Sequence, residues 1–155
     1  MDFQDCIRFA NENRACFLAT EEGKQPRVRP LGMAFADSTG FFFSTNSAKA
    51  LYQQLKNNKK IEILFYPTST EGKPIAKFMR VAGEIEFIED EALKKKFMEA
   101  KPPRKKTGEK GPEVSQLPSP PEGLQSYFFR VYKGEAYFWT PEDNFRESEV
   151  ERIKF

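Results

Sequence analysis

The sequence predicts a mainly β protein, a curved antiparallel sheet of about six or seven strands closing as a barrel, with two to three peripheral helices. Three observations predict it. Short runs rich in β-branched and aromatic residues, bounded by Gly, Pro and Asp/Ser turns, recur along the chain. From Val81 to Phe87, Val81, Gly83, Ile85 and Phe87 alternate with Glu84 and Glu86, and Arg80 precedes them, the pattern of a sheet wet on one face. A glycine inside that run marks a bulge or the tight curvature of a barrel, and no GxGxxG points to a parallel nucleotide-binding layer.

The chain's 155 residues, 39% hydrophobic and 14% aromatic, are expected to form a single domain over 1–155 with one core. A net charge of +2, from 25 Lys+Arg against 23 Asp+Glu, gives no global argument for nucleic acid. Cys6 and Cys16 are too few for a disulfide scaffold or zinc site and read as small buried hydrophobes. The N-terminus lacks a signal-peptide pattern and no apolar run reaches membrane-spanning length, so a cytoplasmic protein with no membrane partner is expected.

The first element is a short amphipathic helix in MDFQDCIRFANEN, with Phe3, Cys6, Ile7 and Ala10 on one stripe. Strand one is Ala15 to Thr20, followed by a turn at Glu21 to Lys24. Strand two, Gln25 to Phe35, places Arg27, Arg29 and Leu31 on one face by its period of two. Ala36 to Gly40 is a polar turn, and Phe41 to Thr45 returns as the antiparallel partner of strand two, carrying Thr45 and Ser47 towards its start. Phe41, Phe42 and Phe43 cannot all point inward. Either both sheet faces are covered or one meets a second subunit, and a homodimer is the expectation.

A helix follows, with Ala48, Leu51, Tyr52 and Leu55 as its apolar stripe and Ser47 as its expected N-cap. Position 50 is alanine where a capping box wants Glu or Gln, so backbone donors stay open. Lys49 opposes the helix dipole by ~0.3–1 kcal/mol, a cost that an anion at the helix start removes. Arg29, Thr45, Ser47 and Lys49 then form a candidate phosphate site. The alternatives are a misplaced surface lysine and solvated sheet arginines, and the residues alone leave them open.

Ile61 to Tyr66 is a short buried strand stopped by Pro67, and Thr68 to Pro74 a loop with a Glu71-Gly72 turn. Ile75 to Phe87 is the long strand. Glu91 to Ala100 is a helix capped by Asp90. Lys101 to Leu124 is a proline-rich, basic loop, either a solvated segment or a surface for RNA or a nucleotide. Ser126 to Tyr132 and Glu135 to Trp139 are strands around Lys133-Gly134, and Trp139 is either core or a stacking surface.

Five motifs in this order carry a family resemblance: CFLAT (Cys16 to Thr20), RPLGM (Arg29 to Met33), STNSAK (Ser44 to Lys49), QLKNN (Gln54 to Asn58) and VAGEIE (Val81 to Glu86), with a weaker echo in GEAYFWT (Gly134 to Thr140). Over Phe3 to Ala100 the chain resembles the pyridoxamine 5'-phosphate oxidase-like FMN-binding split-barrel family, in its small single-domain members. The resemblance implies a split β-barrel that holds FMN non-covalently at the interface of a homodimer. It assigns Arg29, Thr45, Ser47 and Lys49 to the phosphate, with Ser44 and Asn46 in the same turn, and the backbone of Pro30, Leu31 and Gly32 to the flavin edge. It implies no catalytic side chain and no metal, since the chemistry belongs to the flavin.

Two departures shape the expected function. Ala48 stands where the true oxidases carry the first of a basic pair, and the chain has no histidine, so it lacks the Arg and His segment for the vitamin phosphate. Pyridoxamine phosphate oxidation is not expected, nor is a haem-binding or Ser-His role. What remains is electron transfer from NAD(P)H through FMN to a small organic acceptor, or a non-catalytic protein that stores or senses flavin or another phosphorylated cofactor.

Overall fold

The computed structural model describes residues 1–67, 72, 76–100 and 118–155. The loop expected over Thr68 to Pro74, Gly72 apart, the start of the long strand at Ile75 and positions 101–117 of the basic proline-rich segment lie outside the described residues. Helix α1 (Phe3–Glu12) begins in a capping box in which Asp2 and Asp5 satisfy each other's backbone amides, and it buries Cys6 and Ala10. Strand β1 (Ala15–Glu22) turns through Gly23 and Lys24, both left-handed at φ 53° and 70°, into β2 (Gln25–Gly32). Two left-handed residues make the primed turn whose twist matches a two-residue hairpin.

Strand two is shorter than expected. It ends at Gly32, and a separate β3 (Phe35–Asp37) forms the hairpin with β4 (Gly40–Asn46). Between them the chain crosses from one edge of the sheet to the other, pinned where Met33 N–H donates to Arg14 carbonyl at 2.8 Å and Ala34 N–H to Phe42 carbonyl at 2.8 Å. Among the described residues β2 pairs with β1 alone, and β4 lies between β3 and the strand over Ser126–Trp139, so the direct pairing expected between strand two and Phe41–Thr45 does not form.

Helix α2 (Ala50–Asn57), β5 (Lys60–Phe65), β6 (Phe78–Phe87), α3 (Glu91–Ala100), β7 (Ser126–Trp139) and β8 (Ile153–Lys154) complete the order. The antiparallel sheet runs β2-β1-β5-β6-β7-β4-β3, with β8 on β7, giving eight strands among the described residues. α2 touches both β1 and β4 and so covers the gap between the two edges. Ser126 to Trp139 is one strand rather than two, because Lys133-Gly134 is not a turn. Glu84 pairs with Lys133 and Ile85 with Val131, which leaves Tyr132 as a bulge.

Gly83 faces Gly134 across that bulge. A Cβ on Gly134 would lie 2.2 Å from the Ala82 carbonyl oxygen, and one on Gly83 2.5 Å from that of Lys133, so side-chain-free positions are what let the two strands bend together. The bend curves the sheet around Leu18, Phe41, Phe43, Phe65, Val81 and Phe129, all fully buried. Phe42 points the other way and is equally buried, stacked 4.3 Å from Phe35 in a second cluster with Phe97 of α3. One chain thus covers both faces at the triple phenylalanine, and those residues give no reason for a second subunit. Asp90 caps α3 as expected, its Oδ1 accepting from Leu93 N–H at 2.9 Å.

Burial raises the thiols of Cys6 and Cys16 to about 11 and about 12, so both stay protonated and inert. Among the described residues no helix is long and apolar enough to cross a membrane, and no group of His, Cys, Asp and Glu is arranged for a metal ion. Gly134→Ala is expected to destabilise the fold by ~1–3 kcal/mol, the usual range for overpacking, and to lower Tm by several degrees in a calorimetric scan.

Candidate functional site

The gap between the sheet edges is where the described residues concentrate polar groups. On the inward face of β1, Cys16, Leu18 and Thr20 alternate, and the register sets Leu18 opposite Arg29 of β2. Arg29 thus lies on the core side of an edge strand, half-buried beneath α2. Its Nη1 donates to the Leu18 carbonyl at 3.2 Å and to Thr20 Oγ1 at 2.8 Å, and its Nη2 donates to Gln54 Oε1 at 2.5 Å. Thr20 also donates to Gln54 Oε1 at 2.6 Å, and Gln54 Nε2 donates to Glu22 Oε2 at 2.6 Å. Glu22 then accepts from Arg27 at 3.1 Å.

This relay fixes Arg29 while leaving part of it open. A guanidinium carries five N–H donors, and three are used here. Desolvation lowers the Arg29 pKa, an effect opposed by the Glu22 charge, and a guanidinium shifted from so high a starting value keeps its proton. Glu22 is held below the usual carboxylate range, first by the Gln54 hydrogen bond and then by Arg27. Arg27 is committed to that ion pair and is a bystander to the site.

The second half of the site is the end of β4 and the start of α2. Thr45 follows Phe41 and Phe43 on the inward face and is only 5% exposed, yet its Oγ1 has no hydrogen-bond partner among the described residues. Leaving a buried hydroxyl unpaired costs about 1–3 kcal/mol, so an acceptor or donor brought to this atom would be stabilising. Ser44 and Asn46 alternate with it on the outer face. Asn46 Oδ1 accepts from Ala48 N–H at 3.1 Å, and Ser47 extends the β4–β7 ladder, its N–H donating to Gln125 carbonyl at 2.9 Å and its Oγ accepting from Gln125 N–H at 3.1 Å.

The helix cap differs from the one expected. Ser47 is occupied by Gln125, so the helix starts two residues later with Lys49 at the N-cap, extended at φ −92° and ψ 136° and without a side-chain capping bond. No acid lies in the first turn. The N–H groups of Ala50 and Leu51 have no protein partner among the described residues, the open-donor arrangement of an anion-accepting helix start.

Ser44, Thr45, Asn46, Ser47 and Lys49 are thus gathered in one turn, while Arg29 touches none of them. The two halves are joined by α2, which opens at Lys49 and holds Arg29 through Gln54, about 7.5 Å further along its axis at 1.5 Å per residue. Gln54, Thr20 and Glu22 were not anticipated. Their signal was present: Thr20 is a polar residue on an inward strand face, and Gln54 sits at i+3 from Leu51 on the buried stripe.

The outer face of the same strands is mostly apolar. Pro30, Leu31 and Gly32 border a cavity of about 300 Å³ with Phe17, and Phe17, Val28, Leu64 and Phe78 border a neighbouring one of about 400 Å³ together with the Arg80–Glu62 ion pair. Val28 is 70% exposed and Phe17 42%. Trp139 belongs to this face, stacked on Phe78 at 4.9 Å, rather than to the inner core.

A family sequence model described as "Pyridoxamine 5'-phosphate oxidase" matches residues 4–123. The chain belongs to this family. Solved structures share its fold: a NimC/NimA family protein from Clostridium acetobutylicum (TM-score 0.66, 23% identity, 98% of this chain and 92% of that one) and General Stress Protein 26 from Bacillus anthracis (TM-score 0.62, 15% identity, 100% of both). An FAD-binding protein from Mycobacterium smegmatis is also similar (TM-score 0.60, 12% identity, 100% of this chain and 98% of that one). No curated protein matches the chain significantly.

Replacing Gln54 with Leu should destabilise the protein by ~1–3 kcal/mol in urea denaturation, because Arg29 and Thr20 lose a buried partner. The same change should flatten the acid limb of stability. Glu22, with its folded pKa lowered, contributes stability above the ordinary carboxylate range that is lost as pH falls through the lowered value, and Gln54 is the main cause of that lowering.

Proposed function

We propose that the chain is an FMN-binding flavoprotein whose phosphate cup is formed by Arg29, Thr45, Ser47 and Lys49, with Ser44 and Asn46 in the same turn. The observation that carries this is the Thr45 hydroxyl, buried and unpartnered beside an uncapped helix start. A phosphate there accepts from Thr45, from the Ala50 and Leu51 amides and from the unused Arg29 donors, and Lys49 supplies charge. The residues therefore fit the group.

The flavin ring lies along Pro30, Leu31 and Gly32. β2 has a strand neighbour on one side only, so backbone groups on its other edge are free to meet the polar rim of a ring, and the cavity beside Phe17 meets its apolar face. The exposed patch of Phe17 and Val28 is the surface by which a second copy of the chain completes the site as a homodimer.

When bound, FMN supplies two-electron chemistry, and the function we favour is electron transfer from NAD(P)H to a small organic acceptor. The protein's part is to bind the phosphate, orient the ring and exclude water with the apolar outer face. No histidine exists to act as acid or base, and the chain also lacks one for the vitamin phosphate, so oxidation of pyridoxamine phosphate is not the assigned reaction. The absence of histidine also suits a protein that only stores or senses flavin; NAD(P)H consumption with a quinone and nitro-compound panel separates the two.

The purified protein should be yellow, with flavin absorption. A colourless preparation that also fails to bind added FMN removes the assignment. Lys49→Glu should weaken FMN by ~1.5–3 kcal/mol, the worth of a charge-assisted hydrogen bond. Thr45→Val should weaken FMN by about tenfold while leaving the cofactor-free protein as stable or more so, since the hydroxyl removed has no partner without ligand. Val28→Glu should convert dimer to monomer in sedimentation, and a wild-type monomer at micromolar concentration contradicts the shared interface.

A further inference from the structure

Resting on the cofactor assignment proposed above, we infer that the cup continues into a subsite for an adenosine phosphate, walled by Tyr52, Tyr127, Lys56 and Lys59. A cavity of about 440 Å³ opens between α2, the end of β6, the start of α3 and the start of β7. It falls within the ~300–1,000 Å³ of small-molecule sites. On one wall Tyr52 and Tyr127 stack at 4.0 Å with ring planes 11° apart, and Phe87 meets them edge-on at 5.6 and 6.2 Å. Tyr127 is held in place by its hydroxyl, which donates to Gln125 Oε1 at 2.6 Å.

Three lysines line the cavity against one carboxylate, Glu89. Lys94 is paired with Glu91 at 3.3 Å. Among the described residues Lys56 and Lys59 have no carboxylate within ion-pair distance. They lie over rings instead, Lys56 Nζ 5.4 Å from the Tyr52 centroid and Lys59 Nζ 4.4 Å from that of Phe87. Ammonium groups without counter-ions beside stacked aromatic rings suit a planar base that carries phosphate, the base gaining ring contact and the phosphate the charge.

The cavity also shares a wall with the cup. Ser126, on its lining, pairs with Asn46 in the β4–β7 register, and Gln125 holds Ser47 by two hydrogen bonds. Tyr52 lies in the first turn of the helix that Lys49 opens, and its N–H donates to the Lys49 carbonyl at 3.1 Å. The helix start and the tyrosine pair are thus neighbours through the first turn of α2 and the Asn46–Ser126 register. Two sources offer the same chemistry: the adenosine half of a dinucleotide flavin, or the adenosine phosphate of a separate nucleotide cosubstrate.

The test titrates FMN and FAD into the full chain by flavin fluorescence, and ADP into the FMN-saturated protein by calorimetry, each for wild type and for the double variant Lys56→Glu, Lys59→Glu. The expected result is FAD at least about tenfold tighter than FMN, or ADP bound to the FMN form, with that gain lost in the double variant while FMN affinity stays within about twofold. Tighter FAD with silent ADP identifies the flavin tail as the source, and ADP binding without an FAD advantage identifies a separate nucleotide. FAD no tighter than FMN together with no ADP binding overturns the subsite, as does a double variant that leaves the gain intact. If FMN itself does not bind, ADP titrated into the protein alone decides the cavity by the same variant, independently of the flavin assignment.

Discussion

The structure turns on how a guanidinium is kept at the edge of a sheet that does not close. Arg29 stands on the inward face of β2, where a charged group is costly unless hydrogen-bonded, and its partners come from three directions: the Leu18 carbonyl, Thr20 and Gln54. Gln54 is the pivotal one, because a carboxamide both accepts and donates. Its oxygen takes Arg29 and Thr20 while its nitrogen reaches Glu22, so one residue of α2 ties the helix to β1 and β2 and spreads the charge towards solvent. The helix thereby lies across the split, and the turn before it, Ser44 to Lys49, is carried to the same opening.

The division of faces follows from that placement. With α2 over the gap, the inward positions of β1, β4, β5, β6 and β7 form one aromatic and aliphatic core, and α3 covers the back of β4 through Phe42, Phe35 and Phe97. What the described residues of a single chain leave uncovered is the outer side of β2, β1 and β5. Phe17 and Val28 stand out there beside Phe78 and Trp139, next to the very strand whose backbone has one free edge. Arg29 and the exposed Val28 therefore lie on opposite sides of β2, adjacent in sequence.

Much of this was legible from particular residues. Val81 to Phe87 read as a half-wet strand because its alternation is strict, and α1 and α3 read as helices because apolar spacing and the acidic caps Asp2 and Asp90 agree. The glycine at 83 signals curvature, whereas Lys133-Gly134 reads locally as a break between two strands; only the facing strand makes it part of one strand bulged at Tyr132. Ser44 to Lys49 reads as a polar turn before a helix, but the cap is not Ser47, which is claimed by Gln125, 78 residues away. The triple phenylalanine was a true signal of two covered faces, and the cover proved to be α3.

By itself the sequence determined what depends on neighbours along the chain: the strand and helix periods, the mainly β class, the amphipathic faces, the lack of histidine chemistry and the open helix start. Tertiary structure alone decided that β2 and β4 would be separated by a gap rather than paired, that Arg29 would be held by Gln54 and Thr20, and that the Thr45 hydroxyl would be buried without a partner among the described residues. The reason is physical. Period and capping are set by backbone geometry within a few residues, whereas the partner of a buried polar group is whichever atom the closed sheet brings within about 3 Å, and that depends on every turn and bulge between them.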